Sequence, residues 1–106
     1  MIFLISSEAE KEEVIQLARL RQENDHSMAS FYWPEESLKD ELSRTRGYAI
    51  RENLEAPMQA FILFRHLGDV AEITCLATAV FAQKKGKMTE LLTQVINLEW
   101  AYAEWW

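Results

Sequence analysis

The segment Gln83-Lys84-Lys85-Gly86-Lys87-Met88 gathers three lysines around a glycine, and no acidic residue stands between Ile73 and Thr89. In a chain with 17 acidic against 11 basic side chains and a formal charge of −6, that local reversal points to an anionic ligand. Glycine lets a backbone approach a ligand closely. A helix beginning just after such a loop adds free N–H groups and the positive end of its dipole. A phosphate-bearing ligand suits this chemistry. The spacing lacks the second glycine and the trailing Ser or Thr of a nucleotide P-loop, and it lacks the three glycines of a dinucleotide fingerprint, so both classes are set aside.

Other reactive residues are sparse. Cys75 is the only cysteine, which rules out an intramolecular disulfide or a thiolate metal cluster. With no base or positive field beside it in sequence, it reads as a small buried residue and not a nucleophile. His26 and His66 stand far apart without ligand spacing and read as surface residues of a loop and a turn, so no metal site is expected. The acidic balance speaks against nucleic acid, which needs a clustered basic face, and favours a cationic partner such as an amine or a basic peptide. Met1 to Ile5 is apolar but too short for a signal peptide or a membrane span. A cytoplasmic setting with no membrane contact is the expectation.

These residues need a frame to position them, and the pattern supplies one domain of class α+β. Met1 to Ile5 reads as a first strand. Ser7 and Glu10 have capping-box spacing, and Val14, Leu17, Ala18 and Leu20 give an apolar stripe, so a helix is predicted over about residues 8 to 23. After a loop, Pro34, Glu35 and Glu36 open a short second helix through Leu38 and Leu42. Gly47 reads as a break. Tyr48 to Glu52, Met58 to Arg65 and Val70 to Thr78 follow as three antiparallel strands, with His66-Leu67-Gly68-Asp69 as a turn. From Thr89 the spacing is helical again through Leu91, Leu92, Val95, Ile96 and Leu98. The tail from Glu99 to Trp106 fits either a continued helix or the start of a strand. The predicted order is β-α-α-β-β-β-α, with the basic loop where the last strand hands over to the last helix.

At that junction the chain resembles the GNAT superfamily of N-acetyltransferases, whose members carry Gln/Arg-x-x-Gly-x-Gly/Ala between their fourth strand and third helix. Here the run is Gln83-Lys84-Lys85-Gly86-Lys87-Met88, with Met88 where the small residue usually stands, so its side chain must point away from the ligand or the ligand must sit differently. Ala71 to Thr78 looks like the fourth strand of that fold, and the resemblance implies a truncated GNAT-like domain with a mixed, mainly antiparallel sheet and flanking helices. Phe31 to Leu38, with Glu41 and Leu42, looks like the acceptor region of ribosomal-protein alanine N-acetyltransferases.

The resemblance implies acetyl-CoA as cosubstrate and an amine or peptide N-terminus as acceptor, with direct attack on the thioester. It implies that backbone groups at Leu76 and Thr78 pair with the pantetheine arm, that the Leu76 N–H steadies the thioester oxyanion, that the amides of Lys84, Lys85, Gly86, Lys87 and Met88 hold the pyrophosphate, and that Ala77 and Gln83 also belong to the cofactor site. Glu72 stands where histone acetyltransferases of this superfamily carry their general base, and strand alternation places it on one face with Thr74, Leu76 and Thr78. A complete domain of this kind continues with a fifth strand, a fourth helix and two more strands, for which the 106 residues leave no room. The alternative is a non-catalytic protein that binds CoA or a partner. The aromatic tail, Trp100, Tyr102, Trp105 and Trp106, is too apolar to be left in water, so a homodimer formed through it is expected.

Overall fold

A computed structural model describes residues 1–24, 34–67, 70–99 and 104–105, and structural statements here concern those residues. His26, the Phe31-Tyr32-Trp33 run, Gly68, Asp69, Trp100, Tyr102 and Trp106 lie outside them.

The elements run β1 (Ile2–Leu4), α1 (Glu8–Asn24), α2 (Glu35–Arg44), β2 (Arg46–Ile50), β3 (Ala60–Leu67), β4 (Val70–Thr78), a 3-10 turn (Val80–Ala82), α3 (Lys87–Glu99) and β5 (Glu104–Trp105). β1 to β4 form an antiparallel meander in chain order, and β5 joins β4 in parallel at Val70 and Ala71. The predicted order holds. Of the two readings left open for the tail, the strand is the one found at Glu104–Trp105, and the sheet is mixed and mainly antiparallel, as expected.

Local chemistry explains the helix starts. The Glu10 N–H donates to Ser7 Oγ at 3.1 Å, while Glu10 Oε1 accepts from the Ser7 N–H at 3.0 Å and the Ser6 N–H at 2.9 Å. Both ends of that capping box are therefore made. The two amides hold the Glu10 carboxyl below its ordinary range, Ser7 contributing most. Pro34 is extended at the N-cap of α2, one position earlier than a first-turn proline, and its carbonyl accepts from the Leu38 N–H.

Helices cover both faces of the sheet. On one, Val14, Ile15, Leu17 and Ala18 of α1 and Leu38 and Leu42 of α2 pack with Phe61 and Leu63 of β3. On the other, Leu91 and Val95 of α3 pack with Ile50, Ala60, Ile62 and Phe64. Two expected core positions, Leu20 and Leu98, are exposed, and Ile15 takes the place given to Leu20.

Gly47 is not a break. It lies inside β2, where an added Cβ would come within 2.6 Å of Leu63 Cδ2 and 3.1 Å of the Ile62 carbonyl oxygen. The glycine is there for close approach, as strand glycines often are. β2 ends at Ile50 and not at Glu52, and the buried Arg51 side chain keeps to the α1 face, where its guanidinium meets Glu13 Oε1 at 3.1 Å and sits 4.4 Å from the Phe3 ring centre. β3 runs on to Leu67, so His66 is a strand residue, edge-on to the Phe64 ring, and not part of a turn. No described helix is long and apolar enough to cross a membrane.

Candidate functional site

β4 carries the site because its two edges differ. On one side it pairs with β3 throughout, and on the other, among the described residues, β5 pairs with Val70 and Ala71 alone. The Ala79 N–H donates to the Gln59 carbonyl at 2.7 Å. Antiparallel ladders alternate inward and outward pairs, so Ala77 and Cys75 bond inward to Phe61 and Leu63. The N–H and C=O groups of Leu76 and Thr78 therefore point away from β3, to the open edge.

The same strand is bulged. Leu63 pairs with Cys75 but Phe64 pairs with Ile73, which leaves Thr74 as the extra residue. The bulge reverses side-chain parity, and this corrects the reading of Glu72. Leu76 and Thr78 sit opposite Ile62 and Ala60 on the α3 face, whereas Glu72 sits opposite Arg65 on the face of α1 and α2. Glu72 Oε1 accepts from Arg65 Nη2 at 3.1 Å, a cross-strand ion pair. Sequence alternation placed Glu72 with Leu76 because it assumed an unbroken period of two.

Beyond β4 the backbone is shaped for an anion. Lys84 has φ of 63° and Gly86 has φ of 70°, the left-handed region that side chains seldom adopt. A Cβ on Gly86 would meet nothing within 4 Å. The first turn of α3 closes when the Glu90 N–H donates to the Gly86 carbonyl at 3.0 Å, so the N–H groups of Lys87, Met88 and Thr89 have no intrahelical acceptor. Loop amides and helix amides thus end on one concave surface.

That surface and the open edge share one cavity of about 850 Å³. β4 lines it from Ile73 to Thr78, the loop and helix start line it with Gln83, Lys84, Gly86, Lys87 and Met88, and α1 adds Ala18 and Arg21. Of the residues expected to touch a cofactor, Lys85 does not line it. Glu72 does not line it either. Met88 lines the cavity and is also packed partly against the core on the α3 side.

The electrostatics differ from the sequence expectation in one respect. Lys87 Nζ lies 3.5 Å from Glu52 Oε1 and 3.7 Å from Glu90 Oε2, so its charge is already committed to carboxylates. Glu52 is held below the ordinary carboxyl range first by the Gln59 amide and then by Lys87. Lys84 and Lys85 form no ion pair among the described residues. Burial pushes the Cys75 thiol up to about 11, with Glu41 adding to the effect, so Cys75 stays protonated near neutral pH. Among the described residues, no group of three or more His, Cys, Asp or Glu side chains is placed to hold a metal ion.

Sequence reasoning missed Arg21. With the Gln83 amide turned so that its oxygen faces α1, Arg21 Nη1 and Nη2 donate to that oxygen at 2.9 and 3.0 Å. A signal existed, since Arg21 continues the Val14, Leu17 and Ala18 stripe by one more turn, where an apolar residue belongs.

No model of a protein family matches the chain, and no curated protein matches it. Among solved structures, it is similar to the ribosomal-protein-S18-alanine N-acetyltransferase from Escherichia coli, with a TM-score of 0.69 at 18% identity. The likeness covers 92% of this chain and 58% of that one. The fold is therefore GNAT-like, and the chain spans little more than half the length of the enzyme it matches.

Proposed function

We propose that this chain binds acetyl-CoA along the open edge of β4 and at the start of α3, and that it acts as an N-acetyltransferase. One observation carries the reading. The outward N–H groups of Leu76 and Thr78, the loop with positive φ at Lys84 and Gly86, and the free amides of α3 all face one cavity. Such a surface offers donors to a chain of amides at one end and to a diphosphate at the other.

When bound, acetyl-CoA would supply an acyl group activated as a thioester. The residues of this chain have separate tasks around it. The edge amide of Leu76 donates to the developing oxyanion in a partly water-excluded cavity, where a preorganised donor is worth most. The amides of Gly86, Lys87 and Met88 hold negative charge, with Gln83 and Lys84 around them. Ala77 presents its small side chain to the α1 face and lets the ligand lie close. The acceptor is an amine or a peptide N-terminus. Its nitrogen must lose a proton as the carbon–sulfur bond breaks and the thiol leaves. The acidic surface favours a cationic acceptor of this sort. An alanine N-terminus, as in the name of the E. coli enzyme, is one candidate.

A second reading, a protein that binds CoA without turnover, is favoured by Glu72. The carboxylate expected to act as base is tied to Arg65 and faces away from Leu76.

Calorimetric titration with acetyl-CoA, followed by thiol release with a panel of amines, separates the readings. Binding with release supports the enzyme, and binding without release supports the second reading. No heat at millimolar acetyl-CoA rejects both. Gly86→Val should abolish binding, because a β-branched residue resists positive φ and its methyls would fill the space open at Gly86.

A further inference from the structure

We propose that Glu52 sets the affinity of this cavity for its cofactor by competing with the diphosphate for Lys87. The inference rests on reading the cavity as a CoA site, and it brings in a residue from the connection between β2 and β3, which the loop motif does not include.

Position is the first reason. Lys87 is the first residue of α3, where the helix dipole is positive and a cationic side chain is disfavoured. Cβ atoms tilt toward the N-terminus of a helix, so this side chain projects the way the free amides of the first turn point. It lines the cavity with Lys84 and Gly86. An anion seated on those amides therefore lies within its reach.

The looseness of its present contacts is the second reason. Lys87 Nζ lies 3.5 Å from Glu52 Oε1 and 3.7 Å from Glu90 Oε2. Both separations exceed the roughly 2.7–2.9 Å of a close charge-assisted hydrogen bond. Glu90 moves with Lys87 on one helix, whereas Glu52 comes from outside it. The Glu52 side chain is 65% exposed, and ion pairs so open to water hold weakly. A diphosphate, with more charge than one carboxylate, displaces it.

The third reason is that Glu52 is aimed. Gln59 Nε2 donates to the same Glu52 Oε1 at 2.9 Å. Gln59 is buried and fixed, since its N–H donates to the Ile50 carbonyl at 2.8 Å and its carbonyl accepts from the Ala79 N–H at 2.7 Å. The Gln59 amide and Lys87 hold the Glu52 carboxyl below its ordinary range, so it is charged near neutral pH. Exchange strands nothing, because Glu52 keeps the Gln59 amide and water. Glu52 thus opposes binding twice, by occupying Lys87 and by repelling a second anion.

The test uses the whole chain at low salt and three probes: acetyl-CoA, inorganic pyrophosphate and phosphate-free pantetheine. Glu52→Gln should tighten acetyl-CoA and pyrophosphate about three- to fivefold, the upper range for one exposed ion pair, and should leave pantetheine unchanged. Lys87→Met should weaken the same two probes about tenfold, as expected for a lost charged contact. In the Lys87→Met background, Glu52→Gln should then have little further effect, because the shared cation is gone. Glu55→Gln, which removes an equal charge from the same connection, should change none of the affinities.

The inference falls if Glu52→Gln leaves acetyl-CoA binding unchanged or weakens it, and the cavity reading survives that result. It falls if Glu52→Gln tightens binding as much without Lys87, or if Glu55→Gln matches it, since either would be an effect of net charge alone. Equal tightening of pantetheine would mean that Glu52 acts on the shape of the loop, and overturns it too. A wild type that binds neither acetyl-CoA nor pyrophosphate removes the inference and the reading together. Circular dichroism checks each variant. Should Lys87→Met not fold, the Glu55→Gln control decides together with a salt series. Tightening by Glu52→Gln must fade toward about 1 M salt, where the screening length is about 3 Å, and tightening that persists there overturns the inference.

Discussion

β3 and β4 lie side by side in one sheet, yet they do opposite work. From Ala60 to Phe64, β3 is buried on both faces and paired along both edges, so every polar backbone group has a partner and every side chain is packed. That is a strand with nothing left to offer a ligand. β4 is only partly buried, bulged at Thr74, and, among the described residues, unpaired on its outer edge beyond Ala71. An open edge is a hazard in a strand without a task, because it invites pairing with other chains. Here it runs straight into a loop shaped for an anion, and the opening becomes a place to bind. Stability resides in one strand and recognition in its neighbour.

The comparison breaks if large changes in β3 and β4 cost the same. Phe61→Ala should cost about 3–5 kcal/mol, since it empties a fully buried position, and urea denaturation should show the midpoint falling at an unchanged slope. Leu76→Ala removes a side chain that is 44% exposed and should cost under about 1 kcal/mol. Similar losses for the two would mean that β4 is as much core as β3.

Proline reads the two edges of β4 separately. Ala77→Pro removes an N–H that bonds inward and leaves a β3 carbonyl unsatisfied, which should cost about 1–3 kcal/mol more than Leu76→Pro. Leu76→Pro removes an outward N–H, so the fold should survive while acetyl-CoA binding and turnover fall. If the stability order is reversed, the ladder alternation assigned to β4 is wrong.

Much of this was legible in the sequence, and the failures have physical causes. Capping at Ser7 and Glu10, the i and i+4 pair Leu38 and Leu42, and the β-rich run from Val70 to Thr78 are local signals, and each element formed where its signal lay. The loop was legible because lysine and glycine stand out in an acidic chain. What escaped was non-local. A bulge at Thr74 depends on how β4 registers against β3, so sequence alternation misplaced Glu72. Gly47 looked like a break because its reason, the Leu63 side chain lying against it, comes from the next strand. The charge of Lys87 looked free because Glu52 is distant in sequence, and Arg21 was passed over because its partner Gln83 lies on another element. The tail was left between helix and strand because the two residues of β5 carry no period.

The smallest effect separates the two ends of α1, since the capping box at its start is scaffold and Arg21 at its finish is site. Glu10 is held below its ordinary value of 4.5 chiefly by the Ser7 amide, so its folded pKa lies under its unfolded one. The ionised carboxylate therefore stabilises the fold fully above about pH 4.5, and that contribution disappears as pH falls through the lower folded value. Glu10→Gln keeps the shape and removes the charge. The stability gap between wild type and variant should be flat near neutral pH, under about 1 kcal/mol at so exposed a position, and should close on acidification below about pH 4.5. Acetyl-CoA affinity at neutral pH should not change, because the cap touches nothing in the cavity. A gap that widens in acid contradicts the capping-box assignment. A loss of affinity would show that the two ends of α1 are coupled, and that scaffold and site are less separate than the strands make them.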